Sequence, residues 1–244
     1  LVLFLAWFLQ TRLNAMRDWK GTLVPAALIP GLFVVLVAAQ PDLGTALVLA
    51  GVAAMILVLA GMEWKVLLGA VAAALPMLAA LLLMVPWRRA RMLVFLNPES
   101  DPQGAGYHIY QSLIAVGTGG LTGHGYMEGM QKLFFLPEAA TDFIFANIAE
   151  ELGFVGAMFI VLLFGLFGVR GLRTAFRCSD PFARLAAFGI TITILLQAFF
   201  NISVVLSLVP NKGIPLPLIS HGGTSLFCTL ASIGVLLNIS RRAE

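Results

Sequence analysis

The sequence predicts an all-α integral membrane protein, a polytopic helical bundle of about six complete spans and one partial one. Three observations carry this prediction. Of the 244 residues, 60% are hydrophobic and only 11% are charged, where a soluble domain carries about 25% charge. Mean hydropathy is +0.96. The apolar residues are also gathered into runs near the roughly 20 residues that cross a bilayer as a helix.

In chain order, Leu1–Gln10 is the end of one span, and Leu23–Ala39, Thr45–Ala60, Val66–Val85, Phe143–Val169, Leu185–Val209 and Thr224–Ile239 are the six complete ones. Leu1 stands in mid-helix with no Met or basic region ahead of it, so a truncated N-terminus is expected rather than a signal peptide. Gln40-Pro-Asp-Leu-Gly-Thr45 is a tight-turn signal with Asp42 in it, and Gly61–Lys65 is connective, with Trp64 at interfacial depth. Placing loop 11–20 in the cytoplasm puts ten of the fifteen basic residues inside. Arg88, Arg89, Arg91, Lys132 and Lys212 remain outside. The bias favours this orientation and puts Asp142 on the exoplasmic side. Cys178 and Cys228 fall on opposite sides, which excludes a disulfide between them.

Residues 86–142 form a large outer loop of different composition, with five of the twelve acidic residues and two of the three His. A loop this long is functional or disordered, and Met92–Leu96 and Tyr107–Val116 are apolar enough to lie at the membrane. Tyr107, Tyr110, Leu113 and Ile114 recur at helical spacing until Gly117, which predicts an interfacial helix. Trp87-Arg-Arg-Ala-Arg91 places three cations on the side the charge bias disfavours. They either anchor to lipid headgroups or meet an anionic lipid-linked substrate, for which the guanidinium fork suits phosphate. The Gly-rich stretch 117–125 lacks a preceding strand and a P-loop Lys, so it is no nucleotide motif; its glycines serve tight turns. His124 has no spaced partner ligands for zinc. Nothing points to nucleic acid.

The polar residues converge around Leu133–Ala146. Pro137 ends any helix before it, Glu138, Thr141 and Asp142 follow, and an apolar helix begins at Phe143. Asp142 is either only an N-cap at the positive end of that helix or a chemical group. Glu150 and Glu151 lie about 12 Å further along, at outer-leaflet depth, where charges are paired or functional. In the last outer connection, Val209–Ser225, three prolines forbid regular helix in an apolar segment. Such backbone is tolerated only where it is buried in protein or lines a cavity, so a re-entrant wall is expected there. Gln197 and Asn201, four apart on one helix face, can bond its free backbone groups. Ser220, His221, Gly222 and Gly223 lead into the final helix.

Gln-Pro-Asp-Leu-Gly-Thr at 40–45, Asn-Pro-Glu-Ser-Asp-Pro at 97–102 with Gly106-Tyr107 and Gln111-Ser112, and Gln131-Lys132-Leu133 resemble one family. So do 136–146, Glu150-Glu151-Leu152-Gly153 and the 215–225 run. It is the SEDS family (shape, elongation, division and sporulation) of bacterial membrane proteins, which includes FtsW, RodA and SpoVE. The resemblance covers essentially the whole chain. It implies a ten-span fold of which this chain holds one membrane domain, with the proposed active site in the 86–142 loop. Pro-Asn-Lys-Gly at 210–213 looks more like the division-type FtsW branch. Two residues depart from the family pattern: Ala140 stands where His is usual, and His221 where Tyr is usual.

The resemblance implies a peptidoglycan glycosyltransferase of the bacterial cytoplasmic membrane. It would polymerise lipid II at the outer face, with inversion, beside a class B penicillin-binding protein. Carried over, Asp142 is the general base. Arg88, Arg89, Arg91, Lys132 and Lys212 are candidates to hold the pyrophosphate, and Glu138, Thr141, Ser220 and His221 to line the substrate site. Asp42, Pro137, Glu150, Glu151, Gly222 and Gly223 are supporting residues. A divalent cation is a possible cofactor, with no ligand cluster evident. The competing readings are a lipid II flippase and a division scaffold. An ion-coupled transporter should carry ionisable groups or broken helices near mid-membrane, whereas the charges here sit outside or at outer-leaflet depth.

Overall fold

The computed structural model describes residues 1–15, 18–40, 42–96, 104, 106–131 and 138–242. Among them the regular structure is helical: α1 (Val2–Leu9), α2 (Val24–Ala39), α3 (Leu43–Leu59), α4 (Trp64–Leu83), α5 (Pro86–Leu96), α6 (Tyr107–Thr118), α7 (Ile144–Arg177), α8 (Pro181–Val205) and α9 (Gly223–Arg242). A π-helical turn at Trp19–Leu23 runs into α2. Among the described residues, four helices are long and apolar enough to cross a membrane: Lys20–Ala39, Ile144–Arg177, Pro181–Val205 and Gly223–Arg242. The other two expected spans are shorter apolar helices, Leu43–Leu59 and the Trp64–Pro76 part of α4. With 17 residues, α3 stands at the lower bound of about 17–25 for a span.

The chain divides into two compact units. The first comprises residues 1–71, 165–196 and 227–244. Leu5, Leu9, Val48, Val52, Ile56 and Leu185 are fully buried in it. The α3 helix starts where the turn signal ends, because the Asp42 carboxylate accepts the Thr45 N–H at 3.0 Å as an N-cap. Asp42 is thus a structural residue in this unit.

The second unit comprises residues 72–164 and 197–226. Its core gathers Ala115 of α6, Phe143, Phe145 and Ala146 at the head of α7, Ala198, Val204 and Val205 of α8, and Leu216. The buried Ser112 hydroxyl bonds the Ile109 and Val205 carbonyls at 2.8 and 3.2 Å and ties α6 to the end of α8. The helix expected over Tyr107–Val116 is present and runs two residues further.

One feature departs from expectation. The span beginning near Phe143 is two helices joined at Gly153, which adopts φ 66° and ψ −167°. That region of backbone space is essentially reserved for glycine. A break frees carbonyls and N–H groups that hydrocarbon cannot satisfy, and the Gly-rich stretch supplies their partners. His124 and Gly125 N–H donate to the Glu150 and Glu151 carbonyls at 3.1 and 3.0 Å, while Phe154 and Val155 N–H donate to Gly120 and Leu121 at 2.9 and 3.2 Å. The fit is close: a Cβ at Gly123 would overlap the Glu151 carbonyl, and one at Gly119 the Ala149 carbonyl.

Candidate active site

The polypeptide from Glu138 to Asp142 precedes α7 without regular structure, yet each of its carbonyls has a partner. Glu138 accepts from the Thr141 and Phe143 N–H groups at 3.1 and 3.3 Å. Ala139 accepts from Asn147 Nδ2 at 2.8 Å, and Ala140 from the His221 N–H at 2.9 Å. Thr141 accepts from the Ser220 hydroxyl and Asp142 from Asn201 Nδ2 at 2.7 Å. Five consecutive carbonyls are therefore satisfied, the first within the segment itself and the other four by α7, α8 and the 206–222 connection. An irregular strand of backbone needs such anchoring to hold one shape away from water.

The same bonds shape the Pro-rich connection. Asn201 also donates to the Ile214 carbonyl at 2.7 Å, which makes it the backbone clamp its position on α8 suggested. The Ser220 hydroxyl accepts the Leu216 N–H at 2.7 Å while donating to Thr141, so this residue is committed to backbone on both sides. Gly213 lies against the Asp142 carboxylate, where an added Cβ would stand 2.8 Å from Oδ2. Asp142 remains partly exposed, as a group meeting a substrate must be. Helix α7 begins at Ile144 rather than Phe143, two residues beyond Asp142.

Glu138 adopts φ 55°, a left-handed conformation rare outside glycine. Its Oε2 accepts the Thr141 hydroxyl at 2.8 Å. Lys212 adjoins Gly213, and its carbonyl accepts the Ile214 N–H at 3.1 Å. His221 leaves its ring exposed, Gly222 accepts the Leu226 N–H, and Gly223 opens α9. Arg88, Arg89 and Arg91 lie on α5, with Arg89 and Arg91 exposed; the Arg88 side chain, Lys132 and Pro137 fall outside the described parts of the structure.

Glu150 and Glu151 are accounted for by the break in α7. Glu150 is 2% exposed and accepts the Met130 N–H at 2.9 Å and the Gln131 N–H at 3.2 Å. Glu151 accepts the Met127 N–H at 3.0 Å. Both carboxylates thus fasten residues 127–131, which follow the Gly-rich stretch, to α7, the helix that Asp142 precedes.

Sequence reasoning missed His108. Its ring stacks on Phe143, with centroids 5.9 Å apart and planes 19° from parallel. Burial lowers its pKa below the ordinary 6.5; the Arg91 charge lowers it further, and Glu138 opposes the shift. His108, Arg91 and Glu138 therefore share one electrostatic environment beside the residue that follows Asp142. With the folded-state pKa depressed, the unfolded chain takes up the proton first. Stability is full above about pH 6.5 and falls as pH drops toward the folded value. Thermal unfolding in detergent at pH 7.5 and 5.5 should show this acid-side loss, reduced in His108→Gln. An equal loss in that variant would assign it to another group.

The family model for FtsW, RodA and SpoVE, described as "Cell cycle protein", matches residues 1–244. The chain belongs to this family. A Geobacter metallireducens protein named "Probable peptidoglycan glycosyltransferase FtsW" is 42% identical over 244 residues, all of this chain and 65% of that protein. The "Peptidoglycan glycosyltransferase MrdB" of Escherichia coli K12 is 46% identical over 208 residues, 84% of this chain and 56% of that protein. A solved structure described as "Structural coordination of polymerization and crosslinking by a peptidoglycan synthase complex" superposes with a TM-score of 0.79 at 31% identity, covering 99% of this chain and 68% of that one. The chain thus spans just under two thirds of the length of its FtsW relative. Family membership and the apolar helices together make it a multi-pass membrane protein.

Proposed function

We propose that the chain carries the acceptor-activating site of a peptidoglycan glycosyltransferase acting on lipid II at the exoplasmic face of the bacterial cytoplasmic membrane. The observation that carries this reading is a partly exposed carboxylate, Asp142, on a backbone whose carbonyls are all engaged. Such rigidity is what positioning a proton acceptor requires. The names of the Geobacter and Escherichia relatives support the reaction class. In the reaction, the 4-hydroxyl of the acceptor's terminal N-acetylglucosamine gives its proton to Asp142. Its oxygen bonds to the donor's anomeric carbon from the face opposite the pyrophosphate. The bond from that carbon to the pyrophosphate oxygen breaks, polyprenyl pyrophosphate leaves, and the configuration inverts.

The leaving group gathers negative charge, and Arg88, Arg89, Arg91, Lys132 and Lys212 are the cations assigned to stabilise it. Among the described residues no three His, Cys, Asp or Glu side chains group as metal ligands, so no step is routed through a divalent cation. A class B penicillin-binding protein is the proposed partner, supported by the description of the structurally similar synthase complex. The reading is tested by polymerisation of lipid II with the protein in its full natural length.

The exoplasmic placement has its own test. Cys178 is a poor reporter, because it is 9% exposed and burial and Asp180 both raise its thiol pKa. A cysteine at the neighbouring exposed Ser179 avoids the burial. In a background with Cys178 and Cys228 both replaced by Ser, since Cys228 is itself exposed, a membrane-impermeant maleimide on intact cells should label Tyr126→Cys and leave Ser179→Cys untouched. The reverse pattern would place Asp142 in the cytoplasm.

A further inference from the structure

Beyond the proposed catalytic site, the first unit holds a cavity of about 430 Å³ between the second half of α7 and the end of α9. Its rim carries Arg170, Arg173 and Arg177 with the hydroxyl of Ser240, and its floor is apolar, with Phe167 and Leu236. The three arginines recur at i, i+3 and i+7, one face of the helix, and all three are exposed. The carboxylate in the following turn, Asp180, is occupied in capping α8 through the Ala183 N–H at 2.9 Å. Orientation bias accounts for arginines on this side of the membrane. It does not account for their convergence on one concave surface with an apolar base.

We infer that this cavity binds an anionic phospholipid of the cytoplasmic leaflet, its phosphodiester on the arginine fork and an acyl chain along the apolar floor. Guanidinium groups match phosphate oxygens in bidentate geometry, and basic pockets between membrane helices on this side suit anionic headgroups. Free phosphate would use only the rim, and an acidic peptide would leave the floor empty. The combination favours a lipid. The inference does not depend on the role given to Asp142.

The test uses the protein in its full natural length, purified in neutral detergent and titrated with phosphatidylglycerol or phosphatidylcholine while bound lipid is counted by native mass spectrometry. Phosphatidylglycerol should be retained preferentially. At about fivefold per arginine, R170Q/R173Q/R177Q should weaken it roughly a hundredfold. R241Q/R242Q, which removes two exposed arginines at the same end of α9 but off the cavity rim, should change it far less. Leu237→Trp fills the cavity without touching charge and should also displace the lipid. Equal retention of the two lipids would overturn the site. So would equal loss in the two arginine variants, no loss in Leu237→Trp, or displacement by inorganic phosphate or oligoglutamate at matched ionic strength.

Discussion

Replacing Asp142 by Asn is expected to give a protein that inserts and folds normally but makes glycan strands about 100 to 10,000 times more slowly, the usual contribution of a general base. Folding should survive because the framework holds the backbone of residue 142: Asn201 bonds its carbonyl at 2.7 Å. Asn also caps a helix about as well as Asp, so a purely structural Asp142 would tolerate the change. Glu138→Gln is the control. Glu138 is exposed and receives the Thr141 hydroxyl at 2.8 Å, a bond the Gln amide oxygen can still accept, so its rate should fall much less. Initial rates of lipid II consumption by the two variants decide the matter. Near-normal rates in Asp142→Asn with an inactive Glu138→Gln would transfer the base to Glu138.

Gly153→Ala should be the most damaging small substitution for the fold. At φ 66° and ψ −167° a side chain costs about 1–3 kcal/mol in backbone strain alone. Its Cβ would also overlap Gly123 N and stand 2.6 Å from the Leu121 carbonyl. Parting these segments breaks the bonds at Glu150, Glu151, Phe154 and Val155, and each buried group left unpaired costs about 1–3 kcal/mol more. The sum approaches the whole stability of a typical domain, about 5–15 kcal/mol. Fluorescence-detected gel filtration should show most of the monodisperse protein lost. Gly165→Ala is the matched control, since its Cβ meets nothing within 4 Å; it should elute as wild type. Equal recovery of both variants would mean the break at Gly153 does not hold the fold.

How much of this was legible beforehand depended on the range of the forces involved. Composition and run length report lipid exposure directly, so the helical membrane class and the order of spans followed from them. The helix from Tyr107 was readable because its signal, apolar residues three and four apart, is local. The three prolines of 210–217 announced irregular backbone, and Asn201 was in place to serve it. Helix ends were read less well. Hydropathy placed the start of α8 at Leu185, yet Asp180 and Pro181 begin it by capping and by occupying the first turn, signals of hydrogen bonding rather than of lipid depth. The break in α7 left no local trace. Glu150-Glu151-Leu152-Gly153 reads as helix interior, and what stabilises the break is a set of bonds to residues 120–131, about twenty to thirty-four positions earlier. The role of those glycines was seen only as turn-making for the same reason. His108 was overlooked because its significance lies in the ring of Phe143 and the charges of Arg91 and Glu138, all brought to it by the fold.

The most direct test of the central claim is polymerisation of lipid II by the purified protein in its full natural length, alone and with a class B penicillin-binding protein, resolved as glycan chains on a gel. The account predicts a ladder of chains from the wild type and none from Asp142→Asn in an equally stable complex. A wild-type complex that is folded and binds lipid II but yields no ladder, while lipid II crosses between the leaflets of vesicles containing it, would contradict the glycosyltransferase and leave a transporter.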